Sequence, residues 1–299
     1  MRDSGDAGAN RASSDRHAGT SSSVVSTAIV RDDYGEPVSF DVVARRIVSL
    51  NPTTTETLFA MHHQAQLVGR SRWDVWPDSA RLIPNLGDAL RPNVEAVIAA
   101  RPDLVILYGS ADNRPAAERF KAAGIRVVAF KIDRVATFDR VTRILGRLVG
   151  DTAAGNIVAD SVQRTLHRVA TATASLPHPT VVWPFAYRPA MVVGGGSFMT
   201  ELLDVAGAHN IYGDMREPSP VVTLEDVVRR NPTYVIRSVD NTQLVTQPTK
   251  IDPAWSAIDA VRQGRVLIAP AELVARPSVR MGEGALALAR LLHPGTTFQ

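Results

Sequence analysis

The side chains best suited to binding chemistry in this chain are aromatic and charged residues that directly follow short apolar runs. In sequence order they are Asn51, Trp73, Trp76, Tyr108, Phe185, Tyr187, Arg237, Glu272 and Arg276. If the apolar runs are parallel strands, these residues meet at the carboxyl ends of the strands, where open α/β sheets bind their ligands. Flat rings with a few charged anchors suit a large, partly planar ligand with polar edges.

The sequence lacks the motifs that would indicate catalysis. It has no cysteine, which excludes disulfides, thiolate metal sites and a cysteine nucleophile. His62 and His63 are adjacent and cannot act as a helical metal-binding pair, and neither H-E-x-x-H nor G-x-S-x-G occurs. GGGSF at 194–198 lacks the spacing of a phosphate-binding loop, so we expect a tight turn there. The sequence thus predicts a binding protein that is not an enzyme, with no metal site and no resident cofactor.

Composition narrows the class of protein further. The 299 residues are 45% hydrophobic, enough for one large core or two lobes. Lys and Arg number 33 against 30 Asp and Glu and are scattered, so nucleic acid is not an expected partner. Residues 1–23 are small and polar, and we expect them to be disordered. They hold no apolar block of the secretory type, which taken alone favours a cytosolic protein.

From Val24 onward, β-branched runs alternate with helical patterns. The predicted strands are RIVSL (46–50), QLVGRS (66–71), LVILY (104–108), RVVAFK (126–131), TVVWPF (180–185), YVIRS (234–238) and RVLIA (265–269). The helix containing TTETLFAMHH is expected to have Thr53 or Thr54 as its N-cap, and RPAAERFKAAG is expected to end at Gly124. Continuous apolar strands separated by helices indicate an α/β fold with parallel sheets covered on both faces.

A repeated unit divides these elements into two lobes. EAVIAARPDLVI (95–106) and EDVVRRNPTYVI (225–236) match in their glutamate, apolar helix positions, proline and strand. Between the two copies, an apolar stripe at helical spacing predicts a helix that would run roughly 30 Å. The stripe consists of Ala154, Ile157, Val158, Val162, Leu166 and Val169. We predict an N-terminal lobe at 24–135, a linking helical segment at 136–176 and a C-terminal lobe at 177–299, forming two similar Rossmann-like lobes joined by a long rigid helix.

The order and spacing of six stretches resemble the periplasmic-binding-protein family with a helical backbone, over roughly residues 28 to 292. The stretches are RRIVSLNPTTTETLFA, LVGRSRWDVWP, NVEAVIAARPDLVI, ELLDVAGAHNIYGD, LEDVVRRNPTYVI and ARPSVR. The resemblance implies a substrate-binding protein that feeds cobalamin, haem or a ferric siderophore to an ABC importer. It also implies a periplasmic or other extracytoplasmic location, although this sequence shows no signal peptide. We expect a monomer whose protein partner is the membrane permease dimer.

Within that family the likeness is closest to the cobalamin-binding members. Trp73 and Tyr108 stand where those proteins have aromatic rings, and Glu272 and Arg276 stand where they have an acid and an arginine four residues apart. The resemblance therefore implies a corrinoid ligand. The expected ligand-binding residues are Trp73, Tyr108, Phe185, Tyr187, Glu272 and Arg276.

Three positions depart from the cobalamin-binding pattern and leave alternatives open. Ala89, Met191 and Ser219 stand where that pattern has large aromatic residues, so a ferric siderophore or haem remains an alternative ligand. An alternative of another class is a cytosolic α/β enzyme or ligand sensor. Trp183 and Trp255 are interpreted as core residues rather than ligand contacts.

The repeated unit begins with Glu95 in one lobe and Glu225 in the other. At a helix N-terminus a carboxylate is favoured by the helix dipole, so simple capping is one interpretation. In the family resembled here, the glutamate at this position of each lobe meets an arginine of one permease subunit. The resemblance thus implies that these two residues dock the protein onto a two-fold symmetric transporter.

Overall fold

The N-terminal lobe is built around a parallel four-stranded sheet. In the computed structural model, which describes residues 30–239 and 251–298, its strands are β1 (Ile47–Leu50), β2 (Leu67–Arg70), β3 (Leu104–Tyr108) and β4 (Arg126–Phe130), in the order β2-β1-β3-β4. The neighbouring residues Ile47 and Val48 are both buried but belong to different apolar clusters, because helices cover both faces of the sheet. The predicted disordered segment 1–23 lies outside the described residues.

Three helices belong to this lobe: α1 (Pro52–Ala60), α2 (Val94–Ala99) and α3 (Arg114–Ala122). The prediction that Thr53 or Thr54 caps the first helix is wrong. The N-cap is Asn51, whose side chain accepts a hydrogen bond from the Thr53 amide. Asn51 therefore turns the chain from the end of β1 directly into α1. Gly124 follows α3 with a φ of +77°, which confirms the predicted glycine ending.

Two helices follow the first sheet, α4 (Val135–Leu148) and α5 (Thr152–Thr173). Helix α5 coincides with the long helix that the sequence predicts. The two helices pack closely where Gly146 and Gly155 meet, since a Cβ on either glycine would overlap the backbone of the other helix. This close contact joins the N-terminal lobe to the helix that leads into the second lobe.

The predicted apolar stripe of α5 is mostly correct. Val158, Val162, Leu166 and Val169 are buried. Ile157 is 65% exposed, so its assignment to the stripe is wrong. It lies about 100° around the helix from Val158 and therefore points away from the packed face.

The C-terminal lobe repeats the sheet of the first lobe. Its parallel strands are β5 (Thr180–Val182), β8 (His209–Asn210), β10 (Tyr234–Val239) and β11 (Val266–Pro270), in the order β8-β5-β10-β11. Counted within each lobe, both sheets have the strand order 2-1-3-4. The helices are α6 (Phe198–Val205), α7 (Leu224–Arg230), α8 (Asp259–Arg262), α9 (Ala271–Val274) and α10 (Met281–Leu292). The predicted fold class, α/β with two similar lobes and a long helix between them, is confirmed.

The C-terminal lobe also has a small antiparallel sheet, formed by β6 (Pro184–Tyr187), β7 (Ala190–Val192) and β9 (Val221–Val222). The prediction of one strand at 180–185 is therefore wrong. The chain leaves the parallel sheet at Trp183, and Pro184, which lacks an amide hydrogen, begins the new strand. Trp183 is fully buried and donates its indole N–H to the Ser238 hydroxyl at 2.8 Å, which confirms it as a core residue.

One apolar cluster extends through both lobes. It contains Ile47 and Ile106 of the first sheet, Val181 and Ile236 of the second, and Val162 of α5. Because these side chains share one core, the lobes are packed against each other and not only connected by the chain. No helix in the described part of the chain is both long and apolar enough to cross a membrane.

Candidate functional site

A cavity of about 370 Å³ lies between the two lobes. Both lobes contribute aromatic rings, hydroxyls and charged groups to its lining. The lining residues are Asn51, Pro52, Thr53, Tyr108, Ile132, Asp133, Phe185, Ser197, Phe198, Met199, Pro218, Ala275, Arg276 and Pro277. Three predicted ligand contacts are therefore brought together at one site: Tyr108 from the N-terminal lobe, and Phe185 and Arg276 from the C-terminal lobe.

Tyr108 is held in place by the carboxylate of Asp133, which follows β4. It ends β3, and its hydroxyl donates to Oδ1 of Asp133 at 3.0 Å. The other carboxylate oxygen of Asp133 lies 3.4 Å from Nζ of Lys131. Burial and the charge of Asp133 raise the pKa of the Tyr108 hydroxyl well above its ordinary value. The phenol is thus a neutral donor committed to Asp133, and its ring is the part available to a ligand.

Arg276 forms the charged wall on the other side of the cavity. Its Nε donates to Oε1 of Glu56 at 3.0 Å, and its Nη2 donates to the same oxygen. The Glu56 side chain is only 2% exposed, and burial raises its pKa while the Arg276 charge opposes that shift. Arg276 keeps 31% of its side chain exposed, so the guanidinium can still meet a ligand group.

The first turn of one helix from each lobe lines the cavity. In α1 the lining residues are Pro52 and Thr53, and in α6 they are Phe198 and Met199. The N-cap of α6 is Ser197, whose hydroxyl accepts from the Met199 amide at 3.2 Å. Helix N-termini have a partial positive charge, so these two turns and Arg276 favour electron-rich ligand groups.

Phe185 lies on β6 and keeps 48% of its surface exposed. A half-exposed apolar ring in the lining of a cavity offers apolar area that a ligand can cover. The antiparallel sheet that the sequence did not predict is thus the element that brings Phe185 to the site.

The remaining predicted ligand contacts lie elsewhere, and of the described residues, Trp73, Tyr187 and Glu272 do not line the cavity. Trp73 is 52% exposed, and its indole N–H donates to Oδ2 of Asp88 at 3.0 Å. Tyr187 packs edge-to-face on Trp255 with ring centroids 5.2 Å apart. Glu272 is exposed on the short helix α9. Ligand contact by these three residues remains a prediction.

Sequence reasoning missed several residues of the site. Asp133 comes two residues after the predicted strand 126–131, so its position at a strand end was the signal for it. Phe198 follows a glycine-rich turn, a position at which the sequence alone predicts no ligand contact. Those glycines are required by close backbone packing, since a Cβ on Gly195 would overlap the carbonyl of Gly213. Trp255, predicted to be core, is 1% exposed, which confirms that prediction.

The two glutamates of the repeated unit occupy equivalent helical positions on the surface. Glu95 is the second residue of α2 and Glu225 the second residue of α7, and both are exposed. Both helices are already capped by other residues, because Asn93 and Thr223 accept hydrogen bonds from the amides three positions on. Glu95 also pairs with Arg119 at 2.6 Å, which lowers the pKa of its carboxyl.

No group of three or more histidine, aspartate or glutamate side chains suited to a metal ion occurs within residues 30–239 and 251–298. The cavity itself offers rings, hydroxyls, one guanidinium and one carboxylate already engaged by Tyr108. This donor set suits recognition of an organic ligand through its faces and edges.

The sequence matches the family model described as periplasmic binding protein over residues 47–273, more than half of the chain. The chain belongs to this family. The matched segment includes both parallel sheets and most of the cavity lining, and it ends just before Ala275, Arg276 and Pro277.

Two curated relatives and two solved structures illustrate the likeness of this periplasmic binding protein. A cobalamin-binding protein of Halobacterium salinarum is 26% identical over 89% of this chain and 74% of its own length. An uncharacterized ABC transporter substrate-binding lipoprotein of Bacillus subtilis, YvrC, is 26% identical over 89% of this chain and 86% of its own.

Among solved structures, the periplasmic vitamin B12 binding protein BtuF of Vibrio cholerae superposes with a TM-score of 0.71 at 21% identity, covering 83% of this chain and 96% of that one. A periplasmic heme binding protein of Pseudomonas aeruginosa gives 0.72 at 21% identity, covering 85% and 95%. At these identities the structures establish the shared fold. The two have different named ligands, so fold alone does not select between them.

Proposed function

We propose that this chain is the substrate-binding protein of an ABC importer that captures a corrinoid in the interlobe cleft outside the cytoplasm and delivers it, without catalysis, to a membrane permease. The observation on which this depends most is the cavity in which Tyr108 and Phe185 face the ligand space from different lobes, with Arg276 beside them. A corrin ring has two broad apolar faces and polar amide edges. The two aromatic rings suit its faces, and the guanidinium suits its edge groups.

The names of the relatives support a corrinoid in particular. The Halobacterium protein is named for cobalamin, and it aligns with almost the whole of this chain. The cavity of about 370 Å³ is at the lower end of the usual range for ligand pockets, so it would enclose part of a corrinoid and leave the rest at the mouth of the cleft. A half-exposed ring such as Phe185 fits that arrangement.

Binding is tested with three coloured compounds added separately to purified protein: cyanocobalamin, hemin and a ferric hydroxamate siderophore. After gel filtration, we expect cyanocobalamin absorbance to elute with the protein at a 1:1 ratio. The matched control is Tyr108→Ala combined with Arg276→Gln, which removes a ring and the charge from opposite walls and should abolish co-elution. If hemin or the siderophore elutes with the protein and cyanocobalamin does not, the ligand is the alternative one and not a corrinoid.

A ferric siderophore or haem is the alternative that specific residues favour. Ala89 is 8% exposed, and its small side chain offers a ligand little surface. Met191 and Ser219 are likewise small or flexible compared with the aromatic residues expected for a cobalamin protein. Fewer large rings at these three positions than in the cobalamin-binding pattern would favour a ligand of another shape. Family membership argues against the other alternative, a cytosolic enzyme or sensor.

For delivery, we propose that Glu95 and Glu225 dock the two lobes onto the permease. Since Asn93 and Thr223 already cap the two helices, the glutamates are not needed as caps. Both carboxylates are exposed and stand at the same position of a duplicated unit. Two equivalent acidic groups, one on each lobe, match a transporter with two equivalent basic sites.

Docking is tested by measuring ligand binding and transporter-stimulated ATP hydrolysis on the same variants. Glu95→Lys or Glu225→Lys should leave ligand affinity nearly unchanged and strongly reduce stimulation, and the double variant should abolish it. Glu118→Lys is the matched control, because it makes the same charge change at an exposed helical position of the N-terminal lobe. Normal stimulation by the double variant would refute the docking role.

A further inference from the structure

Two glutamates at equivalent points of the lobes each bind an arginine of the opposite lobe. Glu56 of α1 binds Arg276, which follows α9 in the C-terminal lobe, through both Nε and Nη2. Glu201 of α6 binds Arg134, which follows the first sheet, with Nε and Nη2 each 2.8 Å from Oε1. We call each of these two pairs an interlobe clamp. Glu56 follows Thr55 in α1 and Glu201 follows Thr200 in α6, so the first helix after the first parallel strand of each lobe carries the same Thr-Glu step.

A second polar contact accompanies each interlobe clamp at the same offset in sequence. Three residues before the glutamate of α1, the Thr53 hydroxyl donates to the carbonyl of Pro277 at 2.7 Å. Three residues before the glutamate of α6, the Phe198 amide donates to the carbonyl of Asp133 at 3.1 Å. Pro277 and Asp133 are the direct sequence neighbours of the two clamp arginines. The contacts between the lobes are therefore reciprocal, with each lobe giving a glutamate and receiving one.

We infer that the two interlobe clamps are positioning devices that fix the opening between the lobes beside the cavity and hold the ligand-contacting groups in register. This inference rests on the proposed binding of a ligand in the cleft. Arg276 is both a clamp residue and a wall of the cavity, and Asp133, next to Arg134, orients Tyr108. A change in either clamp thus moves a ligand-contacting group relative to the opposite wall.

The physical cost of leaving these groups unpaired explains why the clamps hold. A carboxylate as buried as Glu56 is strongly destabilised without a cation beside it, so a movement that takes Arg276 away while Glu56 stays buried is costly. The second clamp has further hydrogen bonds, since Glu201 accepts from the Val135 amide at 2.8 Å and Arg134 donates to the Gly195 carbonyl at 2.9 Å. The shared apolar core fixes the lobes through the helices, and the clamps fix them at the cleft.

The first test measures the opening directly in ligand-free protein. Because the chain has no cysteine, Ala122→Cys in the N-terminal lobe and Ala257→Cys in the C-terminal lobe, both exposed positions, give a single pair of spin labels. Double electron-electron resonance then reports the distribution of distances between the lobes. We expect Glu201→Gln and Arg134→Gln each to broaden that distribution, and the double variant to resemble either single variant because both act through one clamp.

The matched control removes an ion pair of the same kind that stays within one lobe. Arg188 binds Asp252 through two nitrogens, each 2.6 Å from a carboxylate oxygen, and both residues belong to the C-terminal lobe. Asp252→Asn should leave the distance distribution unchanged. If the clamp variants fold, as judged by circular dichroism, and give the same distribution as the parent, the inference is wrong. Equal broadening by Asp252→Asn would also refute it, because the effect would then be general loosening.

The second test uses cyanocobalamin as the probe. Of the described residues, neither Arg134 nor Glu201 lines the cavity, so these variants change no direct contact. We expect their affinity for the probe to fall by about tenfold, with partial recovery in Glu201→Asp, which keeps the charge. If the affinity for cyanocobalamin is unchanged while the distribution of interlobe distances is broadened, the clamps do not position the ligand-contacting groups. If the parent protein binds no probe at all, the proposed function fails, whereas the distance measurement still decides whether the clamps set the opening.

Discussion

The two lobes share a strand order and a Thr-Glu helix but differ in how the chain leaves the first strand. In the N-terminal lobe, β1 passes through Asn51 directly into α1. In the C-terminal lobe, β5 is followed by the β6–β7 hairpin and a run of three glycines before α6 begins. The helix that both lobes share carries the clamp glutamate, and the part that differs brings Phe185 to the cavity.

The two lobes therefore present different parts to the cavity: a buried parallel sheet in the N-terminal lobe and a surface hairpin in the C-terminal lobe. Strand β1 is buried along its whole length, whereas the hairpin places Phe185, half exposed, at the cavity. In the N-terminal lobe, Tyr108 at the end of β3 is fixed by its hydrogen bond to Asp133. We infer that ligand preference among members with this fold changes most readily in the hairpin, since it can vary without disturbing the parallel sheet.

The largest expected effect concerns the cores of the two lobes. Phe120→Ala in the N-terminal lobe and Trp255→Ala in the C-terminal lobe remove almost fully buried rings. Each should lower the free energy of unfolding by about 3–5 kcal/mol, through lost burial and a cavity. Because one apolar cluster passes through both lobes, each change should shift a single unfolding transition.

Urea unfolding followed by circular dichroism and by tryptophan fluorescence measures this. An exposed apolar residue provides the control: Ile157→Ala should change stability far less, since that side chain is already in water. Two separated transitions, with Phe120→Ala moving one and Trp255→Ala the other, would show that the lobes unfold independently and that the shared core does not couple them.

Much of this architecture could be predicted from the sequence, because continuous apolar strands and helical periodicity specify a parallel α/β fold. The predicted strand 180–185 shows where such reasoning ends. TVVWPF is apolar throughout, so its pattern contains no sign that the chain changes sheets at Trp183. Pro184 was the available signal, since proline cannot donate to a central strand. The assignment of Ile157 to the buried stripe of α5 is wrong for a related reason, because an apolar residue beside a stripe is not necessarily part of it.

The candidate site was only partly predictable. Reading the residue after each strand found Tyr108 and Arg276, because the carboxyl ends of parallel strands meet at one edge. The same rule cannot tell which of two nearby rings turns inward. Phe185 lines the cavity, while Tyr187, two residues on along the same strand, packs on Trp255 instead. The interlobe clamps could not be predicted from the sequence. Glu56 and Arg276 are 220 positions apart and pair only in the folded chain.

A smaller effect is expected at the two rings of the cavity, Tyr108 at the end of β3 and Phe185 in the β6–β7 hairpin. Tyr108→Ala and Phe185→Ala should each weaken binding of cyanocobalamin by about 0.5–2 kcal/mol, judged from aromatic contacts. Fluorescence titration measures this, and Trp73→Ala shows whether that exposed indole also reaches the ligand, as the sequence predicts. If Tyr108→Ala and Phe185→Ala both bind like the parent and remain folded, the cavity is not the binding site.

The two interlobe clamps should differ in how they respond to pH. Burial raises the pKa of Glu56, against the charges of Arg276 and Arg280, and Asp74 raises it further. The folded protein therefore holds a proton on Glu56 at a pH where the unfolded chain has released it. Its contribution to the free energy of unfolding falls as pH rises from the ordinary carboxyl range through the raised pKa.

Denaturant unfolding at a series of pH values tests this contrast. Glu56→Gln should flatten the decline of stability with rising pH relative to the parent. The matched variant is Glu201→Gln, which makes the same substitution at the 25% exposed carboxylate of the other clamp and so separates the burial of Glu56 from the loss of a clamp. An unchanged profile in Glu56→Gln would show that burial does not perturb this carboxyl in the folded protein.

The smallest expected effects distinguish helix capping from transporter docking at the start of each copy of the repeated unit. Asn93→Ala and Thr223→Ala remove the side chains that cap α2 and α7, and each should lower the free energy of unfolding by about 1 kcal/mol. Glu95→Gln and Glu225→Gln should leave thermal stability unchanged within error, because the capping bonds persist and both carboxylates are exposed. Melting curves and transporter-stimulated ATP hydrolysis, measured together, separate the roles. Cap variants should lose stability and keep stimulation, while glutamate variants should show the reverse. A loss of stability in the glutamate variants that matches the cap variants would make them structural residues.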